Sequence, residues 1–261
     1  MEKPKGLLID LDGTLYHGRQ RIEGADLLIK QLRVLQTPYL FVTNNSSRTP
    51  EQVAEHLMEM GIPASPEEVC TSSLAAAKYI AEESPGAKVA MLGEEGLREA
   101  LLSAGLSIVE HNPEYVVQGI DRAFHYDKLT HAVRWIQEGA VSILTNPDLL
   151  LPSDGGLMPG AGSLGAAIEA ASGVKPTIIG KPSSILMKFA SDRLGLAPEE
   201  TYVVGDNIRT DIAAGVYAGC KTVLVMTGIT TKLNMEAHMR ETGITPDFVC
   251  GDLNEVIDLL C

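Results

Sequence analysis

At 261 residues the chain is long enough for one large or two modest domains with an ample core. Its 21 Lys and Arg against 34 Asp and Glu leave a net charge of −13, which argues against nucleic-acid backbones and anionic membranes as main partners. A small anion is still admissible, because one local cluster of cations or a metal reverses the field where it matters. No apolar run approaches the roughly 20 residues that span a bilayer, and with Met1-Glu2-Lys3-Pro4-Lys5 running straight into a strand no signal peptide is expected. Cys70, Cys220, Cys250 and Cys261 are far apart and lack metal-ligand spacing, so reduced and mostly buried thiols in a cytoplasmic protein are expected, with Cys261 the one open to exposure.

The first strand is read at Leu7-Leu8-Ile9, buried on both faces, and ends in Asp10-Leu11-Asp12-Gly13-Thr14. Side chains alternate along a strand, so Asp10 and Asp12 project to one side, and Gly13 permits a sharp exit. A helix over roughly 24–36 follows, with Leu27, Leu28, Leu32 and Leu35 as its apolar stripe. A second buried strand, 38–42, ends in Thr43-Asn44-Asn45-Ser46, and Thr49, Pro50 and Gln52 open the next helix. A short strand at 69–71 and a small-residue helix at 72–83 complete a β-α-β-α run, which implies a parallel sheet with right-handed crossovers.

Ser84-Pro85-Gly86 reads as a hinge. Beyond it a second α/β series is expected: strands at 88–92, 107–109, 115–119 and 141–145, helices at 94–104 and 127–138, a Pro- and Gly-rich loop at 147–162, and a helix at 163–172. The first pattern resumes at Thr177, with a helix between Ser183 and Gly195, strands at 201–205 and 222–226, a helix from about Ile208 to Gly219, and a closing strand and helix from Phe248. The fold class is therefore α/β: a Rossmann-like parallel-sheet core formed by 1–84 and 178–261, interrupted by an inserted α/β domain at 85–177.

Ligands of open α/β sheets sit beyond the carboxyl ends of the strands. The strand ends here carry Asp10 and Asp12, Thr43 and Asn44, Lys181 ahead of a helix, and Asp206 with Asp211 five residues on. Carboxylates, a hydroxyl and an ammonium on one rim suit phosphoryl transfer, whose transition state spreads negative charge over three oxygens. Mg²⁺ takes hard oxygen ligands, here Asp10, Asp206 and a carbonyl near Asp12. Thr43 would donate to a phosphoryl oxygen and Lys181 would balance charge.

Asp10-Leu11-Asp12-Gly13-Thr14, Thr43-Asn44-Asn45-Ser46, Lys181-Pro182 and Gly205-Asp206-Asn207 through Asp211 resemble the four motifs of the haloacid dehalogenase-like (HAD) phosphohydrolases. With an insertion between the second and third motifs the chain resembles the class IIA, NagD-like branch, and especially its Firmicutes acid sugar phosphatases. Gly119-Ile120-Asp121-Arg122, Thr145-Asn146-Pro147-Asp148 and Pro159-Gly160-Ala161-Gly162-Ser163 resemble segments of its inserted, C2-type cap. The resemblance implies that Asp10 is a nucleophile forming an aspartyl-phosphate and that Asp12 is the acid and base. Thr43, Asn44 and Lys181 would hold the phosphoryl group. Asp10, the Asp12 carbonyl and Asp206 would hold Mg²⁺, with Asp211 supporting a metal-bound water or Lys181. Asn207, where some relatives carry Arg, bears on substrate detail. The partner implied is a small phosphorylated metabolite, with no nucleic acid and no membrane; a homodimer through the cap is compatible with it.

Acid sugar phosphates are the favoured substrates, with nucleotides and pyridoxal phosphate as alternatives. A phospho-accepting signalling domain is the rival from another class, and it needs only about half this chain. For an acidic substrate's second anion, Arg122, with Lys128 as the weaker candidate, and the Pro159–Ser163 helix entrance are the candidate receptors. Tyr115 and Tyr126 are the candidates for stacking on a base.

Overall fold

The computed structural model describes residues 4–153 and 156–260. The readings placed on Met1–Lys3 and on Cys261 lie outside these residues. The chain forms two compact units, one from residues up to Thr43 with Glu51–Cys70 and the stretch from Lys181 on, the other from Asn44–Pro50 and Thr71–Gly180.

In the first unit, β1 (Gly6–Ile9) is buried throughout, as three large apolar residues in a row demand of a strand covered on both faces. A short hairpin, β2 (Tyr16–His17) and β3 (Gln20–Arg21), follows the Asp-Gly turn. Helix α1 spans Ala25–Val34 and buries Ala25, Leu28, Ile29 and Leu32. The apolar stripe is thus rotated from the one expected: Leu27 and Leu35 are 52% and 42% exposed. Leu27, Leu28, Leu32 and Leu35 fit a 3.6-residue period in more than one phase, and packing into the core selects the phase that includes Ile29. Strand β4 (Tyr39–Thr43), helix α2 (Pro50–Glu59) and strand β5 (Val69–Thr71) continue the unit.

The second unit carries α3 (Ser72–Glu83), β6 (Lys88–Leu92), α4 (Glu95–Ser103), β7 (Ser107–Ile108), β8 (Tyr115–Gln118), α5 (Tyr126–Gln137) and β9 (Val141–Leu144). The loop expected over 147–162 is instead largely a β-hairpin, β10 (Leu150–Ser153) with β11 (Gly156–Pro159). Its Pro and Gly content hides the strand pattern. Helix α6 (Ala161–Ser172) and β12 (Thr177–Ile178) close the unit. The sheet is parallel in the order β12-β9-β8-β6-β7. Thr177-Ile178 therefore ends this sheet rather than resuming the first pattern; a two-residue strand carries no mark of which sheet it joins. The insertion expected at 85–177 falls within this unit, which also takes in 44–50, 71–84 and 178–180.

The chain returns to the first unit through α7 (Ser184–Leu194), whose N-terminus is capped by the Ser183 side chain and whose end is Gly195 in the left-handed region. Strand β13 (Thr201–Gly205), a loosely wound turn at Ile208–Ile212, α8 (Ala213–Ala218) and β14 (Lys221–Val225) follow. Helix α9 (Met235–Thr242) was not expected from the sequence: its residues are mostly polar, and its hold on the core is through Met235 and Met239 against Ile208, Ile212 and Leu224. Strand β15 (Phe248–Cys250) and α10 (Leu253–Leu260) end the described chain. The six strands lie in the order β15-β14-β13-β1-β4-β5, with β1 between β13 and β4 and parallel to both. This is the Rossmann-like core expected, and the carboxyl ends of its central strands are where Asp10, Thr43 and Asp206 fall.

Candidate active site

Asp10 leaves β1 with its backbone N–H still donating to the Val204 carbonyl at 2.9 Å, so it is aligned by the sheet itself. Asp206 follows the last residue of the neighbouring strand β13. Asp211 lies one turn further, where its carboxylate accepts from the Asn207 backbone N–H at 3.1 Å. The carboxylate oxygens of Asp10, Asp206 and Asp211 come within 4.8 Å of one another, the only such grouping of acids, His or Cys among the described residues.

Lys181 is inserted among them and is 3% exposed. Its Nζ donates to Asp10 Oδ1, to Asp211 Oδ1 at 2.6 Å and to the Val42 carbonyl at 3.2 Å. Burial alone would lower the lysine pKa; the carboxylates of Asp10 and Asp211 overcome that and hold it raised, so the ammonium is permanent. Burial, then the charge of Asp211, raises the Asp10 carboxyl, and Lys181 only partly offsets them. Asp206 is raised by burial and then by Asp211 and Asp10. Three carboxylates facing one ammonium are a donor set that fits a hard divalent cation with oxygen ligands.

Asp12 has a different setting. It is exposed, paired through its backbone with Tyr16, and projects from the turn that Gly13 makes at φ +90°. Partial burial of its carboxyl raises its pKa, with the Gly18 backbone hydrogen bond the largest opposing influence. A carboxyl that is open to solvent and held above its ordinary range is suited to carrying a proton to and fro. Thr43 ends β4, next to the Val42 carbonyl that Lys181 engages.

Asn44 begins the second unit. There its side chain donates to Asp148 Oδ2 at 3.1 Å and its carbonyl accepts from Ser72 Oγ and Asn146 Nδ2, both at 2.8 Å. Asn207 caps the turn after β13, its Oδ1 accepting from Arg209 N–H at 3.0 Å. The expected anion receptors of the second unit are engaged otherwise. Arg122 pairs with Glu94 at 2.6 Å and Lys128 with Asp121 at 2.6 Å. At the α6 entrance the N–H groups of Gly160 and Gly162 donate to the carbonyls of Leu149 and Asp148.

Thr14 was missed by the sequence reading. It is fully buried, and its Oγ1 lies 3.1 Å from Asp10 Oδ2 and 3.4 Å from Asp206 Oδ1, a hydroxyl shared between two acids. Its only sequence signal is its place just after the Asp-Gly turn.

A parallel α/β sheet with carboxylates and a buried ammonium at its central strand ends is an arrangement suited to handling a phosphoryl group. A haloacid dehalogenase-like hydrolase profile matches residues 7–107 and a HAD-hydrolase-like profile matches 178–256. The chain is 46% identical over 258 residues to an acid sugar phosphatase of Staphylococcus aureus, covering 98% of each chain. It is 46% identical over 241 residues to the 5'-nucleotidase YutF of Bacillus subtilis, covering 92% of this chain and 94% of that one. Its structure is similar to a p-nitrophenyl phosphatase from Archaeoglobus fulgidus, with TM-score 0.93, 37% identity, and 98% and 99% of the two chains covered. The chain belongs to the HAD hydrolase family, in its NagD-like branch with an inserted α/β cap. It is a phosphatase.

Proposed function

We propose that the protein is a Mg²⁺-dependent phosphomonoester hydrolase working through an aspartyl-phosphate, with acid sugar phosphates as preferred substrates. The observation that carries this reading is the buried Lys181 joined to Asp10 and Asp211, with Asp206 alongside. Asp10, Asp206, the Asp12 backbone carbonyl and Asp211, directly or through water, are the groups that would hold the cation. Bound there, Mg²⁺ would screen the charge shared by Asp10 and the phosphoryl oxygens.

Asp10 attacks phosphorus, forming one P–O bond as the bond to the substrate alkoxide breaks, and Asp12 gives its proton to that alkoxide. Asp12, now ionised, takes a proton from water, whose oxygen attacks the aspartyl-phosphate and releases inorganic phosphate and Asp10. Thr43, Asn44 and Lys181 hold the phosphoryl oxygens, and Thr14 fixes the face Asp10 presents. We assign choice of substrate to the inserted unit, taken as residues 85–177 with the core at 1–84 and 178–261. The cytoplasm is the proposed location, consistent with Cys70, Cys220 and Cys250 as buried free thiols and with no described helix long and apolar enough to cross a membrane. A second copy of the chain, meeting it through the cap, is the proposed protein partner; Leu149, Leu150 and Leu157 are exposed there.

The 5'-nucleotidase name of one relative supports a second reading, hydrolysis of nucleoside monophosphates. A panel of sugar-acid, neutral sugar, nucleoside and pyridoxal phosphates, assayed for free phosphate with Mg²⁺, separates the two. The highest kcat/KM on an acidic sugar phosphate is expected; a preference for a nucleotide would replace the first reading with the second.

A further inference from the structure

The turn Thr227–Thr230 follows β14 and holds no charged side chain, yet it contacts Asp206 and the segments that carry Asp12 and Asp211. The Ile229 backbone N–H donates to Asp206 Oδ2 at 2.6 Å, and the Thr230 N–H donates to the Asp206 carbonyl at 3.0 Å. Thr230 Oγ1 accepts from the Ile208 N–H at 3.2 Å, at the start of the segment that carries Asp211. Thr227 Oγ1 donates to the Gly13 carbonyl at 2.8 Å, and the Thr227 carbonyl lies 2.8 Å from His17 Nε2, on the hairpin that follows Asp12.

Gly228 sits amid these contacts. A Cβ at that position would lie 2.1 Å from Asp206 Oδ2 and 2.8 Å from the Gly13 carbonyl oxygen, distances that non-bonded atoms do not adopt. On the other side a Cβ at Gly13 would lie 2.6 Å from the same Oδ2. The Asp206 carboxylate is thus set between two residues without side chains. One oxygen is anchored by an amide, and the other is turned toward Thr14 and the neighbouring acids. Groups that orient a ligand carboxylate in this way tune cation affinity without touching the cation.

We infer that the Thr227–Thr230 turn is a positioning element for the cation site: the Gly228 gap and the Ile229 amide aim Asp206, while Thr227 fixes the Gly13 carbonyl and with it the turn that carries Asp12. The inference rests on Asp206 holding the cation. Binding of Mn²⁺ alone to the purified full-length protein, followed by electron paramagnetic resonance of the free ion, tests it in wild type, Gly228→Ala, Thr227→Val and Asp206→Asn. Gly228→Ala is expected to weaken Mn²⁺ binding at least tenfold and Thr227→Val several-fold. Both should raise the Mg²⁺ concentration needed for half-maximal turnover while kcat at saturating Mg²⁺ largely recovers, a rescue that a general folding defect would not show. Folded Gly228→Ala that binds Mn²⁺ within twofold of wild type overturns the inference. If Gly228→Ala does not fold, unchanged affinity in Thr227→Val does so. Unchanged affinity in Asp206→Asn would instead remove the cation-site reading on which the inference stands.

Discussion

Both units are parallel α/β sheets in which the chain builds outward on one side and then returns to the other, and in both the reversal leaves a crevice between two strand ends. In the first unit that crevice lies between β1 and β13, in the second between β6 and β8. What fills them differs. Asp10 and Asp206 flank the first, with Asp211 near and Lys181 as the one cation paired with them among the described residues. Glu94, Asp121 and Arg122 flank the second, and there each acid has a cation of its own, Arg122 for Glu94 and Lys128 for Asp121. One architecture thus yields an electrostatically unbalanced site in one place and a neutralised rim in the other. The fold supplies the position, and excess charge of one sign supplies the chemistry.

Neutralising one acid at each crevice is the strongest way to break this comparison. Asp10→Asn is expected to remove turnover by several orders of magnitude, as deletion of a covalent catalyst does. Asp121→Asn should leave kcat on p-nitrophenyl phosphate within a few-fold of wild type. Steady-state assays with Mg²⁺ decide it: Asp10→Asn near wild-type activity, or Asp121→Asn as damaging as Asp10→Asn, ends the distinction.

A second test uses pH and metal together. The Asp10 and Asp206 carboxyls are raised in the folded chain, chiefly by burial, above an unfolded value of about 4. Above that pH the folded state binds more protons than the unfolded one, so stability falls as pH rises. A cation among the carboxylates opposes this loss. In chelator, Tm should fall between pH 5 and pH 8 relative to the Mg²⁺-loaded protein, and the gain in Tm on adding Mg²⁺ should be larger at pH 8. Chelation should also abolish activity, Mg²⁺ restore it and Ca²⁺ inhibit, since Ca²⁺ tolerates looser and more numerous ligands. An equal Tm gain at both pH values would show that the acids are already balanced.

The smallest effect is expected at Arg122. Its side chain is 53% exposed and paired with Glu94, an arrangement worth about 0–1 kcal/mol. Arg122→Ala should change kcat/KM for acidic and neutral phosphate esters alike, by less than about threefold. A loss confined to acidic substrates would mean that the guanidinium leaves Glu94 for the ligand and would restore it as an anion receptor.

Legibility in the sequence followed the same division. Asp10 and Asp206 were readable because each follows a buried strand, and a parallel sheet brings such ends together whatever their separation in the chain; Asp211 was readable from its spacing after Asp206, and Lys181 from its place ahead of a helix. Thr14 was not, because a hydroxyl after an Asp-Gly turn looks like part of the turn. Gly228 and Ile229 act through a missing side chain and a backbone amide, and neither has a residue-type signature. Arg122 and Lys128 were visible as cations, but their partners, Glu94 and Asp121, could be assigned only once the strands were in register. The hairpin at 150–159 and helix α9 escaped because local composition and period were overridden by packing.

The neighbours of β1 have a consequence for assembly. Gly6 pairs with Thr201 across the sheet, and Asp10 meets Lys181 and Asp206 from the far end of the chain. During synthesis at roughly 5–20 residues per second, the ribosome delivers the whole of the second unit while β1 still lacks its partner on one side. The acids at its end then stand apart, each hydrated and with an ordinary affinity for protons. Asp10, Asp206 and Asp211 cannot come together on the nascent chain until β13 is added beside β1.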